Sequence, residues 1–214
     1  MRNEILEMIE NALLERQRCF TREQEIQIYL VNFLTELNEF DNIYLEYHLP
    51  SHLLPHYPWI DSNNIYIDIV LEKNNIFYPI EIKYKTTTQN LPINIFGSDI
   101  IVVLGHHGAQ NIGCYDFWKD VKRLEIFENQ FQNVEQGIML FVTNDESYFQ
   151  PPLKQTTGYA QFSIHNQRVI NEGETLSWNK LLKITSNRPP ITLNNSYTLN
   201  WNDLNLDQHK YLLI

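Results

Sequence analysis

Between Ile65 and Lys85 the chain reads IYIDIVLEK-NN-IFYPIEIKYK, two runs of alternating apolar and polar residues on either side of Asn74-Asn75. Asparagine tolerates the positive φ angles of a two-residue hairpin turn. Such a turn pairs Lys73 with Ile76 and thereby fixes every other pair. Ile69 falls opposite Ile80, Asp68 opposite Glu81, and Ile67 opposite Ile82. The expectation is four isoleucines on one face and two carboxylates on the other, with Cβ atoms about 4.5–5.5 Å apart. Lys83, one pleat beyond Glu81, shares the acidic face. Like charges this close destabilise a sheet unless a cation lies between them, and buried charges must be paired or hold a metal. The plainer alternative is a solvent-facing strand with an ion pair among Asp68, Glu81 and Lys83.

The flanking segments supply helices and more strands. An amphipathic helix is expected over about residues 2–17; its acids exclude a signal peptide. A second helix begins near Thr21, read as N-cap with Gln24 as capping-box partner, and buries Ile26, Leu30, Phe33, Leu34 and Leu37. Ile43–Leu49 reads as a strand, and SHLLPHYPWIDSNN as a loop. After the hairpin come a Thr-rich loop, the apolar run DIIVVLG read as buried, and the polar loop HHGAQNIG. A helix over about Tyr115–Asn129 and a buried strand from Gly137 follow. Further on, a strand is expected around Tyr159–His165, a short helix near Trp178–Lys183, and strands at Ser196–Trp201 and His209–Ile214. The domain reading is one unit: an N-terminal helix over 1–19, a core over 20–144 and a β-containing C-terminal elaboration over 145–214.

With 214 residues, 43% of them hydrophobic, the chain is long enough for one well-formed core. No apolar run spans a bilayer, so no membrane partner and a cytoplasmic location are expected. The two cysteines, Cys19 and Cys114, lack metal-type spacing and read as reduced thiols. A net charge of −10 argues against tight unaided binding to duplex DNA, which ordinarily needs a basic face.

Asp68, followed after twelve intervening residues by Glu81-Ile82-Lys83, resembles the motif of the PD-(D/E)xK nuclease superfamily. The order of elements over residues 20–144 is similar to that family's core: helix, three-stranded meander, helix, strand. Ile67 stands where many members carry proline. The resemblance implies a restriction-endonuclease-like α/β fold (α+β with a mixed sheet) and metal-dependent cleavage of phosphodiesters to a 5′-phosphate and a 3′-hydroxyl. It further implies that Asp68, Glu81 and the Ile82 carbonyl hold Mg²⁺ or Mn²⁺, oxygen-only ligands suiting those ions. Lys83 then orients the attacking water or stabilises charge on the phosphate. Members often add an acid from the first core helix. At roughly 100° per residue the buried stripe is centred near Glu23, with Glu25 pointing away, so Glu23 is the choice.

In the helix CYDFWKDVKRLEIF, Asp116, Lys119, Asp120 and Arg123 are spaced for a ladder of ion pairs on an exposed face. The alternative is that Lys119 or Arg123 reaches toward the metal site or a phosphate, and with Lys85 these two are the candidate substrate-binding residues. His106-His107 has no ligand-spaced partner, and prolines break the helix that His48, His52 and His56 would need for a metal site. The expected partner is nucleic acid, DNA more than RNA, with a homodimer or a partner subunit as further alternatives. The competing function is a non-catalytic binding module on the same fold, working inside a larger complex.

Overall fold

A computed structural model of the chain describes residues 1–54, 58–59, 64–180, 187–206 and 208–214. Helices α1 (Arg2–Glu15) and α2 (Glu23–Leu37) lead into strands β1 (Asn42–Pro50), β2 (Asn64–Lys73) and β3 (Ile76–Lys85). Strands β4 (Gln89–Ile95) and β5 (Ser98–Leu104) form a separate hairpin. Helix α3 (Gln110–Gln130), strand β6 (Ile138–Thr143) and the short α4 (Glu146–Phe149) follow. The C-terminal region holds β7 (Val169–Ile170), β8 (Thr175–Leu176), β9 (Ile191–Thr192), β10 (Tyr197–Thr198), β11 (Trp201–Asp203) and β12 (Lys210–Leu213).

The central sheet has the order β1-β2-β3-β6-β12-β11, with β3 and β6 parallel and all other neighbours antiparallel. The fold is therefore a mixed sheet between helical layers. On one side Ile5, Ile9, Leu13, Ile26, Leu30 and Leu34 of α1 and α2 pack against Ile69, Ile80, Ile82, Leu140 and Val142. On the other side Phe117, Trp118, Val121, Leu124 and Phe127 of α3 pack against Ile67, Val70, Met139 and Phe141. The side chains of β6 alternate between these two cores, and all six of its residues are buried.

The β2–β3 turn forms at Asn74-Asn75, with φ of 54° and 61°, and the register runs from Lys73↔Ile76 to Ile69↔Ile80. It stops there, one pair before Asp68 and Glu81. β1 and β2 remain paired on both sides of this point, but Glu46 and Asp68 are skipped, and Glu46 takes a left-handed φ of 51°. The interruption turns both strands over. Ile65 and Ile67 join the α3-side core while Ile69 and Leu71 join the α1/α2-side core. The expected face of four isoleucines is thus corrected to three, Ile69, Ile80 and Ile82.

Other expectations also change. Helix α2 starts at Glu23, and Gln24 is no capping partner: Glu25 accepts hydrogen bonds from both the N–H and the hydroxyl of Thr21 (2.9 and 3.0 Å). The run DIIVVL is no buried strand but one half of the exposed β4–β5 hairpin, with Ile101 66% exposed. The segment 159–165 forms a 3₁₀ turn, Ala160–Phe162, and no strand, because Phe162 and Ile164 both bury against α3. Trp178–Lys180 are non-helical, and the rest of that expected helix, with His56, lies outside the described residues. Among the described residues no helix is long and apolar enough to cross a membrane.

Candidate functional site

Where β2 parts from β3, two carboxylates replace the missing strand contacts. A Pro79–Val70 pair sits between hydrogen-bonded positions, so proline costs β3 no hydrogen bond toward β2. By the same alternation the N–H groups of Ile82 and Tyr84 face β2 and, past Ile69, would be left without partners. Asp68 Oδ2 accepts from Ile82 N–H (2.6 Å), and Glu23 Oε2, reaching in from the first turn of α2, accepts from Tyr84 N–H (2.9 Å). Gln27, one turn along α2 and 3% exposed, donates to Asp68 Oδ1 (2.8 Å) and to Glu46 Oε1 (3.2 Å). In an extended strand a residue's N–H and C=O face the same neighbour, which puts the Ile82 carbonyl on this edge too.

Glu81 and Lys83 project from β3 toward α3, in register with Met139 and Phe141 of the parallel strand. Glu81 is 1% exposed. Its Oε1 lies 2.5 Å from Nη2 of Arg123, without hydrogen-bond geometry. Lys83 Nζ lies 2.7 Å from Oδ2 of Asp120, and Arg123 Nη2 is 3.3 Å from Asp120 Oδ1. Asp120 is itself 1% exposed. The exposed ion-pair ladder expected on α3 is therefore corrected. Only Lys119–Asp116 (3.7 Å) fits that description, while Asp120 and Arg123 turn inward onto β3.

Burial pushes the Glu81 carboxyl well above the usual carboxylate range, with Asp68 and Asp120 adding to the effect and Arg123 opposing it. Burial raises Asp68 against the pull of the Ile82 N–H and Lys83, and raises Glu23 against the pull of Lys83 and the Tyr84 N–H. Asp120 goes the other way: burial opposes its charge, but Lys83, Arg123 and Lys119 outweigh burial and hold it low. Lys83 is likewise kept protonated by Asp120 and Glu81 despite its burial.

The structure thus brings Glu23, Asp68, Glu81, Ile82, Lys83 and Arg123 into one cluster, with Lys85 close enough to Glu23 to favour its charge. Lys119 stands at the edge. It lines a polar recess of about 560 Å³ with Trp59, Tyr115, Asp116 and Arg188. The residues that sequence reasoning missed are Asp120, Gln27 and Glu46. Asp120 had a signal, since it falls at helical spacing between the apolar Phe117, Val121 and Leu124. Two of the histidines are engaged elsewhere: His107 Nδ1 accepts from Thr86 N–H (3.0 Å), and His48 pairs with Asn64.

Among the described residues no three His, Cys, Asp or Glu side chains already converge as a metal-holding group. The donor set nevertheless fits a hard divalent cation. Its ligands are all oxygen, drawn from Glu23, Asp68, Glu81 and Asp120, with Lys83 and Arg123 paired among them and Lys85 and Lys119 acting on Glu23 and Asp120 from outside. Glu81 Oε1 and Asp120 Oδ2 are buried without a hydrogen bond. Each lies against a protein cation, Arg123 at 2.5 Å and Lys83 at 2.7 Å, so the positive charge a buried carboxylate requires is at present supplied by side chains. Compared with models of protein families, with curated proteins and with solved structures, the chain matches none.

Proposed function

We propose that this chain is a metal-dependent phosphodiesterase acting on nucleic acid, DNA more than RNA, with a restriction-endonuclease-like core. The observation that carries this reading is the parting of β2 and β3 at Asp68, beside which Asp68 turns onto the Ile82 N–H while Glu81 and Lys83 leave β3 toward α3. The order α2, β1-β2-β3, α3, β6, with β6 parallel to β3, supports the resemblance noted in the sequence.

In this reading Asp68, Glu81 and the Ile82 carbonyl hold Mg²⁺ or Mn²⁺, and Glu23 supports it. An ion held there would supply Lewis-acid polarisation of the phosphate and a more acidic water. Lys83, held charged in a low-dielectric site, meets the negative charge that builds on the phosphate oxygens and positions the attacking water. Asp120 fixes the Lys83 ammonium in place. Lys85 and Lys119 stand outside the buried cluster, where a phosphate backbone can approach them.

The test is cleavage of mixed single- and double-stranded DNA and RNA with Mg²⁺ or Mn²⁺. Cleavage is expected from the wild type and a loss of at least ~100-fold from Asp68→Ala and from Lys83→Ala. Cleavage that survives both substitutions rejects the assignment. A second reading, a non-catalytic binding module, is favoured by the net charge of −10 and by the pairing of both central cations within the site. It predicts neither cleavage nor binding of either metal.

A further inference from the structure

Arg123 is in the way of the cation. Its Nη2 lies 2.5 Å from Glu81 Oε1, and a magnesium ligand must sit at about 2.0–2.1 Å from its ion. A metal on that carboxylate would sit beside the guanidinium, and two cations on the same buried group repel each other strongly. The same guanidinium nitrogen is already 3.3 Å from Asp120 Oδ1, on the preceding turn of α3. Asp120 is therefore a second seat, reached by a change of side-chain rotamer with no backbone movement. We infer that Arg123 is a resident counter-ion standing in for the divalent cation on Glu81, and that cation binding transfers its guanidinium to Asp120. This rests on the metal-centred reading of the site.

The physical logic is charge replacement. When ionised, the nearly inaccessible Glu81 carboxylate needs a positive neighbour whether or not metal is present, because an unpaired buried charge is strongly destabilising. Arg123 supplies that neighbour in the metal-free protein. Its presence also explains why the acids are not gathered round one point: Glu81 is drawn to α3, while Asp68 and Glu23 are tied to the edge of β3. The Arg123 charge competes with the metal and lowers its affinity. Asp120 relieves that competition by accepting the displaced guanidinium.

Calorimetric titration of the full-length chain with Mn²⁺ tests this. Arg123→Met, which keeps bulk and removes charge, is expected to bind at least about tenfold tighter than wild type, and Asp120→Asn weaker than wild type. Because Arg123→Met risks failing to fold, the wild type is also titrated with Mg²⁺ while the arginine Nε–Hε resonances are followed by NMR, Arg123 being assigned by its loss in Arg123→Lys. Its signal is expected to move in step with metal in the wild type and to stay still in Glu81→Gln. Wild-type metal binding with no movement of Arg123, or with no tightening in Arg123→Met, overturns this inference and leaves the metal site standing. An absence of metal binding in every variant overturns both.

Discussion

Glu23, Asp68 and Glu81 hold their protons more tightly in the fold than a solvated acid does, because burial outweighs the cations beside them. The stability they lend is full below the ordinary carboxylate range and is lost as pH rises through their raised values. Asp120 opposes this trend. Its carboxyl is held low, so its contribution is present above the ordinary range and lost as pH falls through the lowered value. Glu25, Glu39 and Asp145 are also held low and act in the same sense as Asp120, so the loss expected as pH climbs from the carboxylate range toward neutrality is the share that Glu23, Asp68 and Glu81 contribute. Glu81→Gln should flatten that loss. Denaturant unfolding across this range checks it, and a slope unchanged by the substitution would mean that Glu81 is not the group responsible. At this scale the hairpin register put Asp68 opposite Glu81 on a shared face, and the structure does not: the pairing ends at Ile69↔Ile80, Asp68 turns to the Ile82 N–H and Gln27, and Glu81 turns with Lys83 toward α3. The sequence put Asp120 on an exposed ladder and left Arg123 open between that ladder and the metal site, because an i,i+3 acid–base pair reads equally well on a wet face or a buried one. Only the position of β3 beneath α3 decides between them.

The hairpin was the most legible element because local chemistry alone sets it. Asn74 and Asn75 both adopt left-handed angles, and the two-residue loop then dictates every pair down to Ile69↔Ile80. Asn75→Val puts a β-branched side chain at a φ of 61° and is expected to cost about 1–2 kcal/mol. Asn75→Gly should be neutral or slightly stabilising. Thermal unfolding of the two variants checks the turn, and equal effects would show that the loop does not set the register. The break at Glu46 and Asp68 was not legible in the sequence. A strand pattern encodes which residues are apolar, but Ile65, Ile67, Ile69 and Leu71 are apolar throughout, so a change of face between Ile67 and Ile69 leaves the pattern untouched. The β4–β5 hairpin was misread for the same reason. Ile100, Ile101 and Val103 look like core, yet they lie exposed on a two-stranded ribbon outside the central sheet.

At the scale of the whole molecule, the last five residues finish what the first half of the chain begins. β12 pairs with β6 from Lys210↔Thr143 to Leu213↔Leu140, and Met139 and Ile214 exchange backbone hydrogen bonds of 2.9 and 3.1 Å. Its side chains serve both cores: Leu212 joins the α3 side, while Tyr211 joins the α1/α2 side and donates its hydroxyl to Glu10 of α1. Just before it, the buried His209 stacks on Tyr84, the residue whose N–H anchors Glu23. Removal of Lys210–Ile214 would strip one side of a wholly buried strand of its backbone partners and open both cores to water. Unmet buried backbone groups and lost apolar area each cost several kcal/mol, comparable to the ~5–15 kcal/mol that holds an ordinary domain together. The truncated chain is therefore expected to lose its cooperative thermal transition. By contrast Phe96→Ser, at the fully exposed tip of the β4–β5 hairpin, should shift stability by no more than about 0.5 kcal/mol. Calorimetry of the two variants separates them. A truncated chain that still melts cooperatively would show that the C-terminal strand is an addition to the sheet and not one of its structural members.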